Sequence, residues 1–191
     1  MLRLLTTLAA LAAIALAACG GDDDAPPAEA PAVSGSCSPI EEVDVELSGQ
    51  HSDADFSAAD YPTNPPTGGE HNPSALPAGT FYDEGAPLGE AVHLLEHGAV
   101  IGWTNDLSTA DAKAVQDAFN DVFREGYYQV AVVENPELEV PFALSAWGAM
   151  QTCDSVDASV IRPFVEKWYA SPKSAEAAAA CQGAARGLPP C

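Results

Sequence analysis

Proline and glycine crowd residues 50–87, and this stretch constrains the fold more than any other feature of the sequence. Proline removes a backbone donor and fixes φ, so a continuous helix is excluded here and any strand must be short. An irregular segment of this length is uncommon in a folded domain unless it has a function. We therefore expect a long functional loop, which carries Pro62, Pro65, Pro66, Gly68, Gly69, Pro73, Pro77, Gly79, Gly85 and Pro87.

Hydrophobic patterns on both sides of this loop predict strands and helices in mixed order. Helical spacing predicts one helix from Ser108 or Thr109 to Gly126 and another over 158–169. Period-two and β-rich runs predict four strands, at 42–47, 99–103, 127–133 and 141–152. This order indicates an α+β fold, with helices on one face of a largely antiparallel sheet and a long Pro/Gly-rich loop.

The first residues resemble a bacterial export signal that ends in a lipid-attachment cysteine. Arg3 gives a positive start, and residues 4–16 form an apolar run that is too short to span a bilayer. The string Leu16-Ala17-Ala18-Cys19-Gly20 resembles a lipobox, in which cleavage leaves Cys19 as the lipid-bearing first residue. We expect residues 1–18 to be a lipoprotein signal peptide and Cys19 to anchor the protein to a membrane. Its location would be the extracytoplasmic side of the cell envelope, either periplasmic or on the cell surface.

The composition of the segment after the signal indicates the domain organisation, and the net charge of the chain restricts its binding partners. Residues 19–38 are rich in Asp, Pro and Ala, so we expect a disordered tether there and a single α+β domain over 39–191. The sequence has 7 basic and 28 acidic residues, which gives a formal net charge of -21. This charge opposes binding to nucleic acid and attracts cations.

Four cysteines remain after Cys19, namely Cys37, Cys153, Cys181 and Cys191. An even number in an exported protein predicts two disulfides. Of the three possible pairings we favour Cys37 with Cys153 and Cys181 with Cys191, because the second pair would close a short tail at low entropic cost. No Cys-x-x-Cys motif is present, so thiolate ligation of a metal has little support.

All four histidines of the chain lie within residues 51–97, as His51, His71, His93 and His97. Imidazole is the commonest protein ligand for zinc and copper. His93 and His97 can share an ion only on a helix or tight turn, where residues four apart lie about 6 Å from each other, against about 13 Å in a strand. Residues 89–97 are compatible with a short helix that Gly98 terminates or with the start of a strand running to Trp103, and a shared metal favours the helix or a tight turn over 93–97. The predicted metal ligands are His71, His93 and His97, with His51 as a fourth.

Glu96 lies next to two of these histidines, and several roles are open to it. In a metal site it could be a ligand, a carboxylate on the opposite side of the turn or, as we prefer, an acceptor that takes a hydrogen bond from a metal-bound imidazole and orients it. In an enzymatic interpretation, the string His93-Leu94-Leu95-Glu96-His97 matches the inverted zinc protease signature, with Glu96 as general base and Glu166 as a distant third ligand. Met150 would suit cuprous copper, although methionine more often packs in a core.

Three blocks of the sequence resemble the motifs of one bacterial family, which is known only as a domain of unknown function. Its members carry Pro-Pro-x-Ser-Gly-x-His and His-x-x-Glu-His-Gly, and many look exported or membrane-anchored. The resemblance covers about residues 43–150 and departs from the family pattern at Gly68-Gly69-Glu70. It implies no activity. The family positions that it marks are Tyr61, Pro65, Pro66, Gly69, His71, Tyr82, His93, Glu96, His97 and Gly98.

These observations favour a lipid-anchored envelope protein that binds copper or zinc through its histidines. Its role would be metal binding, or metal transfer with a donor or acceptor protein. One alternative is a zinc-dependent hydrolase that uses Glu96 as its base. The other is a structural or partner-binding envelope lipoprotein whose histidines only stabilise the loop.

Overall fold

The computed structural model describes residues 36–46, 49–174 and 176–177. The helices of this part are α1 (Leu88–Glu96), α2 (Thr109–Arg124) and α3 (Ile161–Trp168). Its strands are β1 (Glu41–Glu42), β2 (Thr80–Tyr82), β3 (Val100–Thr104), β4 (Val130–Glu134), β5 (Phe142–Ala146) and β6 (Ala149–Cys153). Short 3₁₀ turns occur at Ala58–Asp60 and Ala158–Val160.

The strands form one mixed sheet in the order β1-β6-β5-β3-β4-β2. β4 pairs in parallel with both β2 and β3, whereas the pairs β3/β5, β5/β6 and β1/β6 are antiparallel. The α+β class is therefore confirmed, but the expectation of a largely antiparallel sheet is wrong. The reason is that α2 returns the chain between β3 and β4, and such a helical crossover allows parallel pairing.

Apolar side chains cover both faces of this sheet, because successive strand residues point to opposite sides. Phe119 of α2 and Phe164 of α3 pack with Val100 and Val132 on one face. Leu94 and neighbouring residues of α1 pack with strand residues on the other face. The expectation that helices lie on one face only is therefore wrong. Nearly every side chain of α1 is buried, since the loop covers it from outside.

Local sequence signals locate most of the elements. Ser108 caps α2 by accepting a hydrogen bond from the Asp111 N–H, and Gly98 follows α1 with a φ of 85°. Residues 141–152, predicted as one strand, form the β5/β6 hairpin, which turns at Gly148 with a φ of 76°. Of the strand predicted at 42–47, only Glu42 lies in a strand, at the end of β1, and residues 43–46 are irregular. Val43 instead donates its N–H to the Gly148 carbonyl at the hairpin turn, at 2.9 Å.

The stretch 50–87 is largely irregular, as predicted, but hydrogen bonds fix its course. The Ser52 N–H donates to the His71 carbonyl at 2.8 Å, and the His71 N–H donates to the Gln50 carbonyl at 2.9 Å. The side chain of Tyr82 closes the far end of the loop through a 2.8 Å hydrogen bond to the Pro77 carbonyl. Hydrogen bonds thus join separate parts of the loop, and His71 lies where its backbone pairs with residues 50 and 52.

Several expectations for the chain ends lie outside the described residues. These are the signal peptide, the lipid site at Cys19, most of the tether and the Cys181–Cys191 pair. Within the part that is described, no helix is both long enough and apolar enough to cross a membrane.

Cys37 and Cys153 form the disulfide expected from the sequence, across a separation of 116 residues. Both half-cystines are buried, and Cys153 ends β6. The segment before β1 runs beside β6 here, because the Ser38 N–H donates to the Thr152 carbonyl and the Asp154 N–H to the Ser36 carbonyl. The disulfide therefore attaches the start of the described chain to the edge of the sheet.

We predict that the Cys37→Ala/Cys153→Ala variant loses roughly 2–5 kcal/mol of unfolding free energy, because the crosslink restricts the unfolded chain. Urea denaturation of the oxidised proteins measures the loss. A reducing agent should destabilise the wild type more than the variant. If the variant and the wild type unfold at the same urea concentration, the crosslink does not contribute to stability.

Candidate metal centre

His71 lies at the centre of the loop and is fully buried. Its Nδ1–H donates to the Gly69 carbonyl at 2.8 Å, which directs Nε2 toward the protein interior. The indole ring of Trp147 packs edge-on against the imidazole, with ring centroids 6.0 Å apart. Gly69 has a φ of 128°, a conformation open mainly to glycine, and so lets the chain place its carbonyl beside His71.

The last turn of α1 supplies His93, Glu96 and His97. The Nδ1–H of His93 donates to the Asn72 carbonyl at 2.8 Å, and its Nε2 lies 3.1 Å from His97 Nε2. Residues three and four apart on a helix are neighbours, so this arrangement agrees with the helix predicted over 89–97. Burial is the main cause that lowers the pKa of His93, followed by the neighbouring histidines, and a hydrogen bond to Asn72 opposes the shift. A lowered pKa keeps the imidazole neutral, which is the form that binds metals.

The carboxylate of Glu96 is fully buried and faces the loop. Its Oε1 accepts a hydrogen bond from the Gly49 N–H at 2.7 Å. Its Oε2 lies 3.1 Å from His71 Nε2 and 3.9 Å from His51 Nε2. Burying a carboxylate is costly unless charge or hydrogen bonds compensate it, so these contacts must offset the cost of burying Glu96.

The contact between His71 and Glu96 has a defined electrostatic requirement. In the neutral form of His71, the proton on Nδ1 goes to the Gly69 carbonyl, and Nε2 presents a lone pair. That lone pair would face the carboxylate oxygen at 3.1 Å, which is repulsive. The contact is favourable only when a proton or a metal ion lies between the two atoms.

Four side chains come together around this contact. One donor atom from each of His51, His71, His93 and Glu96 lies within 4.8 Å of all the others. The edges of a tetrahedral zinc site measure about 3.4 Å, given metal–ligand distances near 2.1 Å. The separations of 3.1 Å and 3.9 Å from Glu96 Oε2 bracket that value. The group could therefore hold a single metal ion.

Burial differs sharply within the group. His71 and Glu96 are 0% exposed, whereas the His51 side chain is 46% exposed. The backbone of His51 is held in the loop by an isolated parallel β-bridge with the backbone of His71. The group is thus closed on the protein side and open to solvent at His51.

The residues predicted as ligands divide between two groups. His51, His71 and His93 share the group just described, and Glu96 supplies a donor atom to it. His97 instead belongs to a second group with His93 and Glu176, whose donor atoms also lie within 4.8 Å of one another. Neither group includes Glu166 of α3. Met150 lies in β6, opposite Glu41 of β1 and Ser145 of β5.

Glu176 is the one member of these groups that was not predicted from the sequence. It follows α3 in a region with no metal-binding motif, and its partner His97 is 79 residues earlier. Only the fold of the chain after α3 brings the two together. Glu166, by contrast, was a candidate ligand, but it lies 3.8 Å from Arg162 on the surface of α3.

A family model described as "Protein of unknown function (DUF3105)" matches residues 51–183. The match covers well over half of the chain and includes both groups of donor side chains. No curated protein and no solved structure is similar enough to count as a match.

We predict that Gly49→Ala disrupts the contact between the loop and α1. A Cβ at this position would lie 2.2 Å from the Gly69 oxygen and 2.6 Å from His71 Nδ1, so the hydrogen bond between those atoms must open. The expected loss is about 1–3 kcal/mol of unfolding free energy, as for other overpacked sites. NMR of the histidine rings should show a shift at His71.

Gly85→Ala is the matched control for this prediction. Gly85 has a positive φ, of 81°, so alanine is strained there, but an added Cβ would approach only the Glu134 oxygen, at 3.3 Å. This variant should lower stability without shifting the His71 resonances. An unchanged His71 spectrum in Gly49→Ala would contradict the packing described above.

Proposed function

The chain belongs to DUF3105, a family of proteins of unknown function, and from the histidine and carboxylate group within it we propose that the protein binds a divalent transition metal ion. The contact between His71 Nε2 and Glu96 Oε2, 3.1 Å apart in a fully buried site, carries this proposal. A metal ion satisfies the requirement of this contact and uses both atoms as ligands. A proton shared between His71 and Glu96 is the competing explanation, and metal analysis separates the two.

The donor set favours zinc or cupric copper. Three imidazole nitrogens and one carboxylate oxygen, from His51, His71, His93 and Glu96, suit these borderline ions. Cuprous copper prefers thiolate and thioether sulfur. The group contains no sulfur donor, so Zn²⁺ and Cu²⁺ are the better candidates.

The groups behind the imidazoles support the same proposal. Metal-bound histidines usually donate their second ring N–H to a carbonyl or carboxylate, which fixes the tautomer and the ring orientation. His71 donates to the Gly69 carbonyl, and His93 donates to the Asn72 carbonyl. Both rings are therefore held with Nε2 as the available donor atom.

The role that we propose is metal binding or transfer, not hydrolysis. A general base must reach a water molecule and a substrate. The Glu96 carboxylate is 0% exposed and lies against His71 and the Gly49 N–H, so it has no open face for a peptide. The formal charge of -21 favours the approach of cations.

We place this activity on a membrane surface. The lipobox-like Leu16-Ala17-Ala18-Cys19-Gly20 and the acidic, Pro-rich segment over 19–38 support a lipid-anchored protein of the cell envelope. The metal would then be exchanged with a donor or acceptor protein on the extracytoplasmic side.

We predict that the mature protein, made without an affinity tag, contains or takes up one equivalent of Zn²⁺ or Cu²⁺. His71→Ala and Glu96→Gln should each weaken metal binding by more than about 100-fold. Loss of a residue that only hydrogen-bonds to a metal ligand typically weakens binding by up to about 100-fold. Glu166→Gln removes a surface carboxylate on α3 and should bind as the wild type does. Elemental analysis and competition with a chromophoric chelator measure these effects.

Chelation provides the control on stability. At a free metal concentration 100 times the Kd, binding should add about 2.7 kcal/mol to the unfolding free energy, and the thermal midpoint should fall when the metal is removed. A wild type that takes up no metal and melts identically with and without chelator would refute the proposed function. It would favour the structural or partner-binding alternative instead.

We predict that Cys19→Ser abolishes lipid attachment. In a bacterial host the wild type should incorporate labelled fatty acid and sediment with membranes, whereas the variant should do neither. Cys181→Ser is the control and should still be labelled. If the wild type and Cys19→Ser incorporate equal amounts of labelled fatty acid, any lipid must be attached to a residue other than Cys19.

A further inference from the structure

The second group of donor atoms, formed by His93, His97 and Glu176, lies beside the buried one. The Nε2 atoms of His93 and His97 are 3.1 Å apart, and Glu176 Oε2 is 3.1 Å from His97 Nε2. The His97 and Glu176 side chains are 28% and 47% exposed. This group therefore extends from the nearly buried His93 to the solvent.

Backbone and hydroxyl contacts hold both outer residues against the end of α1. The His97 N–H donates to the His93 carbonyl at 3.2 Å, which fixes the i, i+4 relation of the two imidazoles. The Ser174 hydroxyl donates to the Glu96 carbonyl, and the Glu176 N–H donates to the Ser174 hydroxyl at 3.2 Å. Glu176 is thus attached to the same helix turn as the buried group.

His93 is common to the two groups, and it can serve only one ion at a time. Its Nδ1–H is used by the Asn72 carbonyl at 2.8 Å, so Nε2 is its single donor atom for a metal. The two groups are therefore alternative positions for one ion that share a nitrogen. They are not two independent sites.

We infer that His97 and Glu176, together with His93, form an outer position through which a divalent transition metal ion enters and leaves the buried position. This inference rests on the proposed function. The ion would keep His93 while it exchanges His97 and Glu176 for His51, His71 and Glu96. The C-terminal end of α1 carries partial negative charge, which favours a cation at this outer position.

The test compares rates of zinc exchange in untagged protein. Loading of metal-free protein with Zn²⁺, and release to excess chelator, are followed by stopped flow. The wild type should bind one Zn²⁺. In His97→Ala/Glu176→Gln both rates should fall about tenfold or more, the low end of the effects seen when groups around a metal site are lost. Glu166→Gln, which removes a carboxylate from α3, should exchange at the wild-type rates.

A second variant checks the outer position directly. In His71→Ala/Glu96→Gln the buried position is lost, and a weak, rapidly exchanging Zn²⁺ should remain. Adding His97→Ala should abolish that residual binding. Circular dichroism confirms that each variant is folded.

The outcomes separate the two claims. A wild type that binds no Zn²⁺ would overturn both. A wild type that binds one Zn²⁺, with wild-type exchange rates in His97→Ala/Glu176→Gln, would overturn the outer position and leave the proposed function standing. Two equivalents bound simultaneously at the cluster would overturn the sharing of His93.

Discussion

The burial of the Glu96 carboxylate against His71 is the interaction on which the rest of this structure depends. A buried carboxylate needs compensating charge or hydrogen bonds, and the protein supplies these from the loop and not from the sheet. The Gly49 N–H binds one oxygen at 2.7 Å, and His71 Nε2 lies 3.1 Å from the other. The long Pro/Gly-rich loop is therefore held to α1 by a polar contact, and this contact determines the course of the loop.

The other contacts of the loop maintain this arrangement. Residues 50 and 52 pair with the backbone of His71 on both sides, so a displacement of His71 would break two backbone hydrogen bonds. Trp147, at the turn between β5 and β6, packs on the ring of His71, and its indole N–H donates to the Glu46 carbonyl at 2.8 Å. The hairpin thus connects the site to the sheet. One buried polar contact, together with Trp147, therefore connects the loop and α1 to the sheet.

The sequence predicted those parts of the site that depend on local geometry. His93 and His97 lie on one helix because their spacing and Gly98 specify a short helix with a glycine end. The loop carries His71 to His93, as the Pro/Gly pattern suggested. Local periodicity does not encode strand direction, however, so the parallel pairing of β3 with β4 was missed. Glu176 was missed for a similar reason, because only the tertiary path after α3 brings it to His97.

The composition of the two donor groups bears on how an ion would move between them. Each group combines His93 with at least one further imidazole and one carboxylate, so an ion that passes from one to the other keeps the same ligand types and the same local charge. The groups differ in burial and in the number of histidines, since His71 and Glu96 are fully buried and His51 adds a third imidazole to the inner group. Electrostatic attraction strengthens as water is excluded, so in the proposed exchange the inner position would hold the ion more tightly. A nitrogen shared between a tighter inner position and an exposed outer one would allow exchange without the release of a bare ion into the protein interior.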